Sequence, residues 1–288
     1  MTKKRHALLL FSKPPIPGLV KTRLTREKGG LFTSEEAAEV FRRCMFDVAE
    51  LCCLVLHELE AENAAALAEN PQATEHIYSF FISTTPAENV EVMRNTFEEI
   101  GQWPREFTYI VDEGANFDDH FDSAFNQIFD LGYDSILSVG ADIPMIPREH
   151  LLNGFRWLQY FLETSSNGGI IQAPCQEVGV SLIGWTRDTP INHQGVYYNM
   201  TGRPALDAYL EKAREKDIPL ASMMPVADID DVSDFAHATS MARTAKYSSA
   251  FQPDLYVPER FLAWVDWRGI KVGTPPNEDR DSREGIDT

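Results

Sequence analysis

Short apolar runs rich in β-branched and aromatic residues alternate with longer stretches of helical periodicity along the first 245 residues. This order is typical of a mostly parallel sheet covered by helices on both faces. The run at 180–184 follows its predecessor too closely for a helical crossover, so we expect it to pair antiparallel. Strands are predicted at 6–12, 77–83, 106–111, 135–139, 169–173, 180–184 and 220–224, and helices at 34–70, 86–100, 117–129, 148–162, 204–216 and from 232 onward.

The alternation predicts one α/β domain over residues 1–245, and a hydrophobic content of 43% is enough to build its core. Ser34, followed by two glutamates, is the expected N-cap of the first helical stretch, which the pattern allows as one helix or two. Residues 246–288 form a C-terminal extension, and we expect its last ~15 residues, which are polar and rich in Pro and Asp, to be disordered.

The chain is strongly acidic, with 26 Lys and Arg against 44 Asp and Glu and a net charge of −18. A surface of this charge argues against nucleic acid or an acidic membrane as a general partner, because both are polyanions. The apolar run near the N-terminus is too short for a signal peptide or a membrane span, so a cytoplasmic location is expected. Residues 1–28 nevertheless carry eight basic residues against Glu27 alone, so a small phosphate ligand suits this segment.

The basic segment contains the most informative loop, FSKPPIPGLVKTRL at residues 11–24, directly after the first predicted strand. Three prolines and Gly18 predict a rigid turn, and ligands bind at the carboxyl ends of strands in open parallel sheets. A loop with exposed N–H groups and several cations suits a di- or triphosphate, although a solvated basic surface loop is the alternative. The candidate phosphate-binding residues are Lys13, Gly18, Lys21, Thr22 and Arg23.

Two acidic positions are candidates for a metal site. Asp142 stands just past the apolar strand at 135–139, where its carboxylate projects over the sheet edge beside the first loop. A carboxylate there suits Mg²⁺ or Mn²⁺ bridging diphosphate oxygens, while a turn-forming Asp before Pro144 is the alternative. The second position is the cluster at 228–231, in which Asp231 or Ser233 is the expected N-cap of the following helix and Ile229 is expected to point inward.

The loop at 11–24 resembles the opening signature of the radical-SAM/selenodomain-associated transferase family, which are GT-A-like nucleotide-diphospho-sugar transferases similar to 2-phospholactate guanylyltransferase. The resemblance continues in the family's order at SILSVGADIPMIP (135–147), EVGVSLIGW (177–185) and VADIDDVSDF (226–235). It implies a GT-A-like, Rossmann-like fold and transfer of a glycosyl or nucleotidyl group to a small-molecule acceptor. It also implies that a later acidic residue, Asp230 or else Asp228, completes the metal site with Asp142.

Within that resemblance, Lys21 and Arg23 would stabilise charge on the phosphates, and Glu177 is the candidate for positioning or deprotonating the acceptor. The chain departs from the family at two places: Val178 replaces a glycine before the LIG strand, and His120 stands where the family carries an arginine. These departures leave a catalytically inactive nucleotide-binding or scaffold protein of the same fold as the alternative function. His120 on its own favours an ordinary surface or core histidine over a base.

Overall fold

Strand β1 (Lys3–Phe11) lies inside a seven-stranded sheet in the computed structural model, which describes residues 2–273. The other strands are β2 (Glu75–Thr84), β3 (Phe107–Val111), β4 (Ser135–Gly140), β5 (Ile170–Pro174), β6 (Val180–Thr186) and β7 (Leu220–Ser222). The strand order is β3-β2-β1-β4-β6-β5-β7. Only β6 runs against its neighbours β4 and β5, so the predicted mostly parallel sheet with an antiparallel strand at 180–184 is confirmed.

Seven α-helices connect or follow these strands within residues 2–273. They are α1 (Ser34–Glu69), α2 (Glu88–Glu98), α3 (Phe117–Asp130), α4 (Arg148–Thr164), α5 (Ala205–Glu215), α6 (Val232–Ser248) and α7 (Glu259–Trp267). The stretch from residue 34 is one continuous helix, and its N-cap is Thr33 rather than the predicted Ser34. Thr33 has the extended backbone of a cap and exchanges hydrogen bonds with Glu36 (3.2 and 2.9 Å), whereas Ser34 is already helical.

Side chains of β1 alternate between two hydrophobic cores, as a buried strand requires. Leu8 and Leu10 pack with α1, α2 and α4 on one face of the sheet. Ala7 and Leu9 pack with α3 and α5 on the other face. The sheet is therefore covered on both sides, as the alternation of strands and helices predicts.

The C-terminal helices α6 and α7 build a third hydrophobic cluster around the start of α1 and the loop that follows β1. Phe32 of that loop packs edge-on against Phe235 of α6 and Trp264 of α7. Helix α6 continues to Ser248, past the predicted boundary at residue 245, and α7 lies inside the predicted extension. The segment predicted to be disordered, 274–288, lies outside the described residues, and no helix within them is long and apolar enough to cross a membrane.

Candidate active site

A cleft of about 610 Å³ opens at the carboxyl ends of β1 and β4. One end is charged and is lined by Lys21, Asp142 and Asp228; the other is aromatic and is lined by Phe11, Phe117, Phe121 and Tyr197. Lys13, two residues after Phe11, also lines the cleft. In open α/β sheets this edge is where ligands bind. A cleft with apolar walls and a few convergent polar groups is the usual form of a small-molecule site.

The loop after β1 is held by backbone geometry and by packing below it. Gly18 has a φ of 78°, and Lys21 also adopts the left-handed region (φ 49°, ψ 38°), which is uncommon for a residue with a side chain. Leu24, three residues later, is buried beside Phe32 in the cluster formed by α6 and α7. The C-terminal helices thus fix the base of the loop that carries Lys21.

Lys21 joins the loop to both predicted metal-binding carboxylates. Its Nζ lies 2.6 Å from Asp142 Oδ2 and 2.9 Å from Asp230 Oδ1, and its side chain is only 8% exposed. Burial alone would lower the pKa of Lys21, but the charges of Asp142 and Asp230 outweigh it and raise that pKa. Lys21 is therefore a permanently charged counter-ion held between two carboxylates.

The two aspartates come from distant segments that a backbone hydrogen bond brings together. Asp142 follows β4, and its carbonyl oxygen accepts a bond from the Ile229 N–H at 3.1 Å. Ile229 is buried, as predicted, which places Asp230 at the surface of the cluster. Asp231 is the N-cap of α6 and exchanges hydrogen bonds with Asp234, so one of the two predicted caps is confirmed. This cap sets the direction of the chain directly after Asp230.

Asp228 faces the same charged end of the cleft, and no salt bridge to it is present within residues 2–273. Burial raises the pKa of this carboxyl to about 6, and the charges of Asp142 and then Asp230 add to the rise. Three carboxylates thus share one buried ammonium. The excess negative charge at this end of the cleft is what a small cation would relieve.

The other predicted residues have different positions relative to the cleft. Lys13 lines it and is exposed, while Gly18 and Thr22 are exposed on the loop but do not line the cleft. Arg23 is 63% exposed and contacts Asp230 Oδ2 at 3.2 Å. The side chain of Glu177 lies outside the described part of the structure.

Val178 does not line the cleft, so its side chain does not block it. It is 53% exposed and has a φ of 58°, in the left-handed region that glycine adopts freely. The backbone conformation that suits a glycine at this position is therefore kept, although a β-branched residue occupies it.

Sequence reasoning missed a polar chain at the aromatic end of the cleft. Asp112, directly after β3, is buried; its Oδ2 accepts a hydrogen bond from Ser83 Oγ at 2.6 Å, and its Oδ1 lies 2.8 Å from His120 Nδ1. Asp112 and His120 both line the cleft. Its position in the sequence could have indicated this residue, because Asp112 follows the end of β3 just as Asp142 follows the end of β4.

Asp118, in the first turn of α3, organises the loop beside this chain. Its buried carboxylate accepts bonds of 2.8–3.2 Å from the four consecutive backbone N–H groups of residues 195–198. These bonds hold Tyr197 against Phe117 in the aromatic wall of the cleft. The wall is therefore built from two segments that one carboxylate ties together.

The donor set at the charged end fits a divalent cation bound together with a phosphate. Among residues 2–273, no group of three or more His, Cys, Asp and Glu side chains is arranged to hold a metal by itself. Mg²⁺, however, is usually bound by one or two carboxylates plus substrate phosphates rather than by a protein cage. Asp142 and Asp230 already face one cation, the Lys21 ammonium, and so meet that requirement.

Comparisons with known proteins agree with this fold. A sequence family described as "Uncharacterized protein conserved in bacteria (DUF2064)" matches residues 70–200. The crystal structure of a protein from Desulfovibrio desulfuricans G20, provisionally named a nucleotide-diphospho-sugar transferase, matches with a TM-score of 0.64 and 19% identity. That match covers 91% of this chain and 95% of the other, so the two share the fold. No curated protein matched the sequence.

More distant structures also align over most of the chain. One is a 4-diphosphocytidyl-2C-methyl-D-erythritol synthase from Anaerococcus prevotii DSM 20548, with a TM-score of 0.43, 10% identity and coverage of 83% of this chain and 96% of that one. Another is the Rv0371c protein of Mycobacterium tuberculosis H37Rv in complex with manganese, with a TM-score of 0.37, 10% identity and coverage of 81% and 97%.

Proposed function

We propose that this protein is a transferase that binds a nucleoside di- or triphosphate, or a nucleotide-sugar, in the cleft and transfers a nucleotidyl or glycosyl group to a small-molecule acceptor. The observation that carries the proposal is the ion pair of Lys21 with Asp142 and Asp230. It brings a basic loop and a pair of carboxylates to the one sheet edge where ligands of such folds bind. The fold shared with the Desulfovibrio protein supports the same class of chemistry.

In this proposal the basic loop holds the phosphates. Lys13 and Lys21 supply charge at the cleft, and Thr22 and Arg23 add donors from the exposed side of the loop. The left-handed backbone at Gly18 and Lys21 sets the path of the loop around them. Lys21 and Arg23 would stabilise charge that develops during transfer, and Glu177 is assigned to the acceptor.

Asp142 and Asp230 would hold Mg²⁺ or Mn²⁺. Such a cation would offset negative charge on the phosphates and on the leaving group. The carboxylates and the loop do the positioning, which supplies much of the rate enhancement in phosphoryl-type transfer. The acidic surface around this basic loop favours a small phosphate ligand over a nucleic acid.

Calorimetry with a panel of nucleotides and nucleotide-sugars, with and without Mg²⁺ or Mn²⁺, tests the proposal. We expect binding of at least one member, strengthened tenfold or more by the cation. Asp142→Asn should abolish the cation effect, whereas Asp266→Asn, which alters an exposed ion pair with Arg243, should leave it intact. No binding of any member would refute the proposal, and an unchanged cation effect in Asp142→Asn would remove the metal role.

A nucleotide-binding protein without transfer activity is the second candidate. It is favoured by His120 in place of a permanent cation, whereas Val178, which does not line the cleft, does not support it. Nucleotide binding without turnover across a broad acceptor panel would select this candidate.

A further inference from the structure

The Ser83–Asp112–His120 chain has the geometry of a hydrogen-bonded relay that ends in the cleft. The Ser83 hydroxyl donates a hydrogen bond to one carboxylate oxygen of Asp112 at 2.6 Å, and His120 Nδ1 lies 2.8 Å from the other oxygen. The Asp112 side chain is 2% exposed and that of His120 is 24% exposed. The relay therefore runs from the interior, where Ser83 is buried, to a ring that reaches the cleft.

The relay selects one tautomer of His120. An ionised carboxylate only accepts hydrogen bonds, and the Ser83 hydroxyl already donates to its other oxygen, so His120 Nδ1 must carry a proton. In the neutral ring this leaves Nε2 with a free lone pair. Among residues 2–273, Nε2 of His120 has no hydrogen-bond partner, so it is available to a ligand.

The surroundings of His120 favour a hydroxyl group as that ligand. Phe117 and Tyr197 form an apolar wall beside it, and Asn116 and Thr85 are the neighbouring polar lining residues. Lys21, the buried cation of the cleft, is paired with Asp142 and Asp230 rather than with His120. A neutral acceptor of protons between aromatic rings suits an alcohol, such as a sugar or polyol, better than an anion.

Resting on the proposed function, we infer that His120 Nε2 accepts the proton of an attacking hydroxyl, and that Asp112 positions His120 for this step. The hydroxyl oxygen forms a bond to the anomeric carbon of a nucleotide-sugar, and the bond from that carbon to the diphosphate oxygen breaks. Its electron pair leaves with the nucleoside diphosphate, and the hydroxyl proton moves to Nε2 and later to solvent. A phosphate nucleophile needs no such proton acceptor, so this assignment favours glycosyl transfer to a hydroxyl over nucleotidyl transfer to a phosphate acceptor.

Two variants separate this role from a purely structural one. His120→Gln keeps a donor for Asp112 but removes a group that can take a proton. Asp112→Asn places an amide next to Nδ1, and an amide N–H that donates to Nδ1 shifts the ring proton to Nε2. His237→Gln, at an exposed position on α6, is the matched control.

Release of nucleoside diphosphate from nucleotide-sugars is measured with Mn²⁺ present and glycerol or water as acceptor. His120→Gln should lower the rate about 100-fold or more, which is the lower range of general base catalysis. Its nucleotide-sugar Kd by calorimetry should stay within threefold. Asp112→Asn should lower the rate at least tenfold and, in ¹⁵N NMR spectra, move the His120 proton toward Nε2.

Three results would overturn the assignment. The first is a His120→Gln rate within threefold of wild type at every pH. The second is a nucleotide-sugar Kd of His120→Gln that weakens as much as its rate falls. The third is a wild type that binds nucleotide-sugars but transfers only to phosphate acceptors or not at all. A wild type that binds no nucleotide refutes the proposed function instead, so the two failures are distinguishable.

Discussion

Two groups of carboxylates with basic neighbours lie in different parts of this molecule. The anchor group joins α1 to α7 and consists of Asp47, Glu50 and Arg260. The cleft group consists of Lys21, Asp142, Asp228 and Asp230. Burial raises the pKa of one aspartate in each group, Asp47 and Asp228, to about 6. The shift is the same, but the hydrogen bonding around the two carboxylates is not.

Both carboxylate oxygens of Asp47 accept hydrogen bonds from protein donors. Its Oδ2 accepts the Phe261 N–H at 2.8 Å and its Oδ1 accepts the Arg260 N–H at 3.1 Å, so it caps the start of α7 from outside that helix. Asp228 accepts no backbone N–H bond in the described part of the chain and faces Asp142 and Asp230. At Asp228 the protein donor is the Cys175 thiol, which is a weak one, so a raised pKa marks a ligand site where strong protein donors to the carboxylate are missing.

The largest effect is expected for Asp47→Ala in the anchor group. It leaves two backbone N–H groups without an acceptor in a buried place, at a cost of about 1–3 kcal/mol of unfolding free energy for each, while the Arg260 guanidinium keeps its pairing with Glu50. Urea unfolding measures it, and Asp266→Ala, which breaks an exposed pair with Arg243, should cost less than about 1 kcal/mol. Equal losses in the two variants would mean that the anchor group is an ordinary surface network.

Lys21→Met should have the next largest effect, and in the cleft group it acts on ligand binding. Loss of a charged donor to phosphate costs about 2 kcal/mol, or a roughly 30-fold weaker nucleotide Kd by calorimetry. Mn²⁺ alone should bind more tightly, because the ammonium no longer competes for Asp142 and Asp230. Lys13→Met removes an exposed cation of the same cleft and should not strengthen Mn²⁺ binding; unchanged Mn²⁺ affinity in Lys21→Met would contradict the competition.

Asp228→Asn should stabilise the protein, in contrast to any change at Asp47. Because the folded-state pKa of Asp228, about 6, exceeds its ordinary value of 3.8, the folded chain holds this proton more tightly than the unfolded chain. Stability is therefore lost as the pH rises through 6, and the variant avoids the loss. With allowance for solvent screening we expect a gain of about 1 kcal/mol at pH 8 that disappears below pH 4.

Thermal melts over this pH range measure the gain, with Asp230→Asn as the control. Asp230 pairs with Lys21 and Arg23, so its replacement removes favourable contacts and should give no gain at pH 8. A gain of equal size in both variants would show that only the total negative charge matters, not the lack of backbone N–H donors at Asp228.

The fold was predictable because its signals are local. Hydrophobic periodicity located the strands and helices up to α6, and the short link before β6 identified the antiparallel strand. Helix α7 was not predicted: its buried residues Phe261, Leu262, Trp264 and Val265 do recur at helical spacing, but nine residues are too few for that repeat to stand out in the sequence. Its cap comes from Asp47, more than 200 positions earlier in the chain, and no local pattern contains such a contact.

The site was predictable only in part, for a related reason. Strand ends place Lys21, Asp142 and Asp230 at one edge, and residue types suggest phosphate and metal chemistry there. That Lys21 lies between the two carboxylates depends on side-chain distances, which the sequence does not contain. His120 looks unremarkable by itself, and only the buried partner at Asp112 gives its ring a defined tautomer.

The smallest effect is expected for Arg23→Gln. Arg23 is an exposed cation next to the cleft group, so this variant tests whether buried and exposed cations contribute differently to nucleotide binding. Arg23 reaches the same Asp230 as Lys21 but is 63% exposed, so its pairing is screened by water and salt. We expect a nucleotide Kd within about fivefold of wild type, equivalent to less than about 1 kcal/mol, and a difference that shrinks further in 0.5 M NaCl. A loss as large as that of Lys21→Met, and insensitive to salt, would mean that nucleotide binding draws Arg23 into the cleft and that the exposed side of the loop carries as much of the phosphate as the buried side.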